Sequence, residues 1–327
     1  MINMLDQFPP SQSPFALSGA KALNPHKFTD PLMTANGDVR AHVAMTGLST
    51  LWFNTGTLCN LSCKSCYIES SPTNDALVYI TLDEVRTYLD EIARDNLPTR
   101  EIAFTGGEPF MNRDMIPILQ LCLDRGFNVL MLTNAMRPMR RFEDALLALD
   151  GRERLTMRVS LDHYTKAVHE GERGAGSWDI AIDGLVWLAA HHFNIDIAGR
   201  HLGDEADDAA RAGYAKLFAA HNLPIDAANR AQLVLFPEMD AQADVAEISD
   251  GCWDILNIDP ASIMCASSRM VVKRKGEPAP RVAACTLLPY DPGFDMGGTL
   301  AEASRDVRLN HPHCARFCVL GGASCSV

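Results

Sequence analysis

The sequence has too little positive charge to suit a nucleic-acid surface. Lysine and arginine number 29 against 41 aspartates and glutamates, a formal net charge of −12. A protein that grips phosphates normally presents a basic face. The one short basic run, Lys273-Arg274-Lys275, reads as a solvated turn. Long apolar runs are missing as well, and nothing approaches the roughly twenty apolar residues of a membrane span. Met1 to Pro10 hold neither the basic start nor the apolar stretch of a secretory signal. These absences predict a cytoplasmic chain whose partners are neither nucleic acid nor membrane. They also make a disulfide framework the wrong reading of ten cysteines. Clustered cysteines in a reducing compartment are better read as metal ligands.

What is present in their place is the stretch Cys59-Asn60-Leu61-Ser62-Cys63-Lys64-Ser65-Cys66-Tyr67, shortly after the apolar run Leu51-Trp52-Phe53. Structural zinc and closed iron–sulfur clusters want four protein ligands, and the local supply stops at three. A four-iron cluster on three thiolates keeps one iron open to a small molecule. The alternatives are an incomplete zinc site or buried thiols. About forty residues later comes Thr105-Gly106-Gly107-Glu108-Pro109-Phe110, after the strand candidate Ile102-Ala103-Phe104. Two glycines let a backbone turn sharply and approach a ligand closely, and Glu108 offers an acceptor for an ammonium group. An ordinary strand-to-helix turn is the plainer alternative.

Together these motifs resemble the radical S-adenosylmethionine (SAM) enzymes, whose signature is a Cys-x3-Cys-x2-Cys run followed by a Gly-Gly-Glu-Pro segment. The resemblance implies that Cys59, Cys63 and Cys66 hold a 4Fe-4S cluster whose open iron chelates the amino and carboxylate groups of SAM. One electron then cleaves SAM to methionine and a 5′-deoxyadenosyl radical, which abstracts hydrogen from substrate. Gly106, Gly107 and Glu108 would position the SAM ammonium. The resemblance also implies a low-potential electron donor such as flavodoxin or ferredoxin.

From Leu48 to about Pro237 short apolar runs alternate with amphipathic segments. Strands are expected at Leu51–Asn54, Glu101–Phe104, Asn128–Leu132, Thr156–Leu161, Asn194–Ala198 and Gln232–Phe236, and helices near 81–95, 113–125, 139–149, 177–192 and 204–221. Thr81-x-x-Glu84 reads as a capping box and Gly126 as a helix stop. Six βα-type repeats predict an α/β fold, a partial (β/α)6 parallel barrel. The expected domains are an irregular N-terminal extension (1–45), the barrel (46–240) and a small cysteine-rich α+β extension (241–327).

Chemistry in such barrels gathers at the C-terminal ends of strands. That rule nominates Thr133 and Asn134 after the third strand, and Ser160-Leu161-Asp162-His163 after the fourth. The latter resembles a Ser-x-Asp-Gly segment found in a large subgroup of the family, with His163 where glycine is usual. His169-Glu170-x-x-Arg173-Gly174 continues the resemblance. It implies Ser160 on the methionine part of SAM and Asp162 near the ribose or substrate; Asp162 and His163 are the candidates for catalytic acid or base. Arg200, ending the fifth strand, is a candidate fork donor to the SAM carboxylate. Tyr67 would lean on the adenine, as would Leu235 and Phe236. Capping, surface ion pairing and plain packing are the alternatives for these side chains. Cys122 falls in a helical pattern and reads as core.

Six of the ten cysteines lie beyond Pro237: Cys252, Cys265, Cys285, Cys314, Cys318 and Cys325. Cys265 and Cys285 bracket a hairpin pattern, Met270-Val271-Val272 against Arg281-Val282-Ala283, and Cys314 and Cys318 form a close pair. The arrangement resembles the twitch or SPASM extension, which binds auxiliary iron–sulfur clusters. The set is too small for a full two-cluster SPASM, so one auxiliary 4Fe-4S cluster is expected. Its ligands would be Cys265, Cys285, Cys318 and either Cys325 or Cys314. Zinc suits four thiolates equally well, and Cys252 reads as a lone buried thiol, with a substrate-side residue as the alternative. The expected function is an oxidoreductase or carbon-bond-rearranging radical SAM enzyme whose auxiliary cluster takes an electron or binds substrate. A small-molecule substrate is expected, with peptide or protein modification as the alternative. A non-enzymatic zinc-binding interaction module is the remote one.

Overall fold

A computed structural model of the chain describes residues 20–202 and 205–323. Its first half runs β1 (His42–Val43), β2 (Thr50–Asn54), α1 (Leu82–Arg94), β3 (Glu101–Thr105), α2 (Met115–Asp124), β4 (Asn128–Thr133), α3 (Arg137–Arg140) and α4 (Glu143–Leu147). There follow β5 (Leu155–Ser160), α5 (Lys166–Arg173), α6 (Ser177–Ala190), β6 (Asn194–His201), α7 (Asp207–Ala220) and β7 (Leu233–Pro237). The remainder holds α8 (Cys252–Leu256), β8 (Ser268–Val272), β9 (Arg281–Ala283), β10 (Asp295–Gly297), β11 (Val307–Arg308) and a π-helical turn, Cys314–Val319.

Strands β2 to β7 lie side by side, all parallel and in chain order. They form the expected partial barrel, open at the β7 edge. A parallel sheet covered on both faces needs near-continuous apolar strands, and every residue of β2 is buried. Phe53 of β2 stacks on Phe104 of β3 with ring centroids 5.6 Å apart. At α1 the capping box forms as expected: Thr81 Oγ1 accepts from the Glu84 amide, and Glu84 returns the bond to the Thr81 amide. Gly126, at φ +85°, ends α2 where a side chain would be strained.

Several details depart from the expected pattern. The 139–149 segment is two short helices, because Phe142 leaves the helical region to pack against Phe110. Helix α5 was not foreseen. Its sequence, KAVHEGER, buries only His169 and so shows no apolar stripe. The C-terminal hairpin joins the barrel's own sheet: β8 lies parallel to β2 with Thr50 opposite Ser268, and β9 and β10 continue antiparallel beyond it. The run Lys273-Arg274-Lys275 is not simply solvated, since its members pair with Glu84, Asp295 and Asp75 respectively.

The segment before β2 packs against the chain that follows β7. Arg40, fully buried, donates to Glu247 Oε1 at 2.6 Å and to the carbonyls of Asp30 and Met33, each at 2.8 Å. Strand β1 pairs with β11. Among the described residues no helix is long and apolar enough to cross a membrane.

Asp295 fastens the added hairpin. The Arg281 guanidinium donates to both of its oxygens, at 2.7 and 2.6 Å, and the Gly297 amide adds a third bond. These donors, with Arg274, outweigh burial and hold the carboxyl down to about 2. A carboxyl whose folded-state pKa is depressed stabilises the fold above its unfolded value, and loses that contribution as pH falls to the folded one. Stability is therefore expected to drop by about 1–2 kcal/mol between roughly pH 4 and pH 2 through this group. Urea unfolding of the wild type and Asp295→Asn across that range checks it, the variant showing a correspondingly smaller drop.

Candidate active site

The loop after β2 and the loop after β3 meet at backbone distance. A Cβ built on Gly107 would lie 2.1 Å from the Leu58 carbonyl oxygen, and one on Gly106, at φ +145°, 2.6 Å from that of Gly56. The Gly107 amide donates to the Gly56 carbonyl at 2.8 Å, and the Glu108 amide to that of Leu58 at 3.2 Å. The two glycines thus hold the cysteine loop over the end of the sheet, where no side chain would fit.

Around this contact lies a cavity of about 160 Å³ at the C-terminal ends of the strands. It is lined by Cys59, Cys63, Cys66, Tyr67, Gly106, Gly107, Thr133, Asn134, Ser160, Asp162 and Arg200. With Phe236, twelve of the fifteen residues expected at the SAM end are therefore brought together. Glu108, His163 and Leu235 are not among the lining residues.

Each exception has a physical reason. The Glu108 carboxylate is turned into the protein, accepting from Thr133 Oγ1 at 2.8 Å and from the amides of Asn134 at 2.9 Å and Phe110 at 3.2 Å. Burial pushes it up to about 7 despite those donors. His163 accepts from the Thr165 amide at 3.0 Å, at the start of α5, and its other ring nitrogen faces Glu205 at 3.4 Å. Leu235 packs over Gly199, while Phe236, one residue on, lines the cavity. Neighbouring strand residues point to opposite faces.

Two ionic groups shape the cavity's far wall. Arg173 grips Asp162 through a two-bond fork at 2.8 and 2.9 Å. Burial would raise the Asp162 carboxyl, but this guanidinium outweighs it and holds the group below its usual range. A carboxylate so engaged is poorly placed to shuttle protons, unlike the acid or base expected of it. Arg200 spends its fork on Glu172, at 2.7 Å, and on both oxygens of Glu238, at 2.7 and 2.9 Å. The expected pairing with a SAM carboxylate would therefore have to compete with two glutamates. Glu172 also reaches back to the cysteine loop, its carboxylate accepting from Ser65 Oγ at 2.6 Å and its carbonyl from the Lys64 amide at 2.8 Å.

Sequence reading missed Glu172, Glu238 and Phe317 at this site. Glu238 carries no signal, being one acid in an acidic loop. Phe317 does carry one, because it lies between Cys314 and Cys318. Its ring stacks on Phe236 with centroids 5.5 Å apart and lines the cavity.

A second, smaller cavity of about 20 Å³ is lined by Cys265, Cys285, Cys314 and Cys318, with His313 and otherwise apolar neighbours. Cys314 thus takes a place in the wall, and Cys325 lies outside the described residues. Leu287 lines both cavities. Cys252 lines neither, its sulfur resting 3.4 Å from the Ser249 amide, and Cys122 is buried in α2. Among the described residues no three His, Cys, Asp or Glu side chains stand as a ready-made single-ion site. The thiols instead ring voids. Burial pushes Cys59 up to about 12 and raises Cys63, Cys265 and Cys314 as well, so all four favour the thiol until a positive centre draws the proton off.

The Radical SAM superfamily model matches residues 53–210, from within β2 into α7. These residues form a radical SAM domain. Members of the superfamily are enzymes, and several relatives carry enzyme names, a heme synthase among them. The antilisterial bacteriocin subtilosin biosynthesis protein AlbA of Bacillus subtilis (strain 168) is 30% identical over 141 residues, covering 43% of this chain and 30% of that protein. The AdoMet-dependent heme synthase of Methanosarcina barkeri (strain Fusaro / DSM 804) is 30% identical over 158 residues, covering 47% of this chain and 43% of that one. The chain thus spans less than half the length of these two curated relatives. Streptococcus suis SuiB, in a crystal structure with S-adenosylmethionine, shares the fold with a TM-score of 0.57 and 10% identity, over 78% of this chain and 64% of that one.

The glycine contact yields a sharp expectation. Gly107→Ala drives a methyl group into the Leu58 carbonyl, so the cysteine loop must lift from the turn that follows β3. After anaerobic reconstitution this variant is expected to bind clearly less iron than wild type, while urea unfolding shows a cost of at least ~1–3 kcal/mol. Iron content equal to wild type would show that the contact is dispensable.

Proposed function

We propose that this chain cleaves SAM reductively and uses the resulting radical to abstract hydrogen from a substrate carbon, with an auxiliary cluster in the C-terminal cysteine cavity. One observation carries the reading: three thiols from one loop share a cavity with a double-glycine turn at the C-terminal end of a parallel sheet. The residues fit the implied group. Three soft sulfur donors and a loop held at backbone contact suit a four-iron cluster with one open position, and the polar groups needed to hold SAM line the same space. Bound there, a reduced cluster supplies the electron that cleaves SAM to methionine and the 5′-deoxyadenosyl radical.

The chain's own residues do the placing. Gly106 and Gly107 offer backbone to the ammonium end of SAM, and Thr133, Asn134 and Ser160 supply short polar groups beside it. Tyr67 lies against the adenine side. Asp162 fixes Arg173, which is close enough to Cys63 to favour its thiolate. Leu287, Phe236 and Phe317 close the space from below and exclude water around the reacting carbon. At the second cavity Cys265, Cys285, Cys314 and Cys318 provide four thiols, the full complement of a closed four-iron cluster. An electron leaving a substrate radical would find that site across a shared wall, which makes the net reaction an oxidation.

For the substrate, likeness to a heme synthase supports a small molecule. Likeness to a bacteriocin biosynthesis protein supports the second reading, a peptide. A low-potential flavodoxin or ferredoxin completes the proposal as electron donor, and dithionite replaces it in the test. Reconstituted wild type is expected to hold about eight irons per chain, falling to about four with Cys59, Cys63 and Cys66 changed to alanine. The four C-terminal cysteines changed to alanine should give the complementary loss. Only chains with the first site intact should release 5′-deoxyadenosine from SAM. Zinc at both sites and no SAM cleavage would overturn the reading.

A further inference from the structure

The chain buries three arginines almost completely: Arg40, Arg158 and Arg269, each at most 1% exposed. Two of them have a carboxylate. Arg40 pairs with Glu247 at 2.6 Å and Arg158 with Asp196 at 3.2 Å. Arg269 has none at ion-pair distance among the described residues. Its guanidinium spreads over four backbone carbonyls instead: Cys265 at 2.6 Å, Ser268 at 2.7 Å, Arg305 at 2.8 Å and Ala303 at 2.9 Å. Those bonds satisfy its N–H groups but leave its charge uncompensated, and an unpaired charge in a protein interior is among the costliest things a fold can hold.

The charged groups around it narrow the source of compensation. Among the described residues Asp306 is the acid that acts on it, and that side chain is 52% exposed and faces His42. Arg305 adds repulsion. The two remaining neighbours are Cys265 and Cys285, both in the wall of the second cavity. Burial pushes the Arg269 guanidinium down to about 10, with those sulfurs opposing, so it keeps its proton at neutral pH. The fixed cation thus sits one hydrogen bond behind Cys265, a residue of that cavity's wall.

We propose that Arg269 is the built-in counter-cation of the C-terminal cysteine site, balancing the negative charge that four thiolates acquire on a metal cluster and favouring the cluster's reduced form. The inference rests on the four-cysteine cluster reading above. Four thiolates around a four-iron core leave a net dianion when oxidised and a trianion when reduced. A buried cation alongside stabilises the second more than the first, which raises the reduction potential. Lysine at 269 would keep the charge but lose the planar fork, whereas glutamine would lose both.

The test uses the full chain with Cys59, Cys63 and Cys66 changed to alanine, so that any remaining iron belongs to the second site. On that background Arg269→Gln and Arg269→Lys are reconstituted, checked for folding by circular dichroism, and titrated anaerobically with the reduced cluster followed by electron paramagnetic resonance. Arg269→Gln is expected to show at least a tenfold lower reduced-to-oxidised ratio at fixed potential, about 59 mV for a one-electron couple, or to lose its iron. Arg269→Lys should stay near the parent. Both variants holding iron at the parent's midpoint would overturn the proposal. Both losing iron equally would also overturn it, by showing that only the carbonyl fork matters. A parent holding no iron would sink the cluster reading itself, a result recognisable before either variant is made.

Discussion

Everything at the radical SAM end depends on one backbone contact, that of Gly106 and Gly107 with the loop from Gly56 to Leu58. The cysteines lie on a loop with little secondary structure of its own, and such loops are ordinarily mobile and variable. Here the loop is pinned from two sides. The turn after β3 meets it at distances that admit no Cβ, and Glu172 at the end of α5 bonds both the Lys64 amide and the Ser65 hydroxyl. Three sulfurs held in this way keep a common orientation without a fourth ligand.

The ionic groups of the cavity belong to the same construction. Asp162 and Arg173 neutralise each other, while Arg200 shares its charge between Glu172 and Glu238. Because Glu172 serves both Arg200 and the cysteine loop, the end of β6 is coupled mechanically to that loop. Helix α5, polar along most of its length, owes its position to these bonds more than to packing. Its single buried side chain, His169, rests edge-on against Trp178 with ring centroids 5.5 Å apart, and burial pushes the imidazole down to about 4. The helix presents charged groups to the cavity at the cost of a weak apolar anchor.

Much of this was legible in the sequence. The six parallel strands carry an apolar signal because both faces of the sheet are covered. The glycines and the cysteine triplet announce themselves by spacing, and together they located the cavity. What stayed hidden was long-range. Nothing in Ser268–Val272 says that it pairs with β2 and not only with its hairpin partner. Nothing in Glu108 says that Thr133, Asn134 and Phe110 will consume its carboxylate. Leu235 and Phe236 were both named, but only strand register decides which of two neighbours faces inward. His163 and Arg200 were read by position along the chain, and in the fold each is already occupied by an acid from elsewhere. Cys314 was left open against Cys325 because spacing alone cannot close a cage whose cysteines come from three separate segments.

The pairing of β8 with β2 has a consequence for distance. Cys59, Cys63 and Cys66 follow the C-terminal end of β2, whereas Cys265 precedes the N-terminal end of the neighbouring parallel strand. The cysteine loop and Cys265 therefore hang from opposite ends of two neighbouring strands of one hydrogen-bonded ladder. No swivel separates them, so their spacing behaves as a ruler cut to the length of a strand. A one-residue slip of β8 along β2 would shift one group past the other by ~3.3 Å and turn every side chain of β8 to the wrong face. The gap between the two sites is thus protected by the same register that holds the core together.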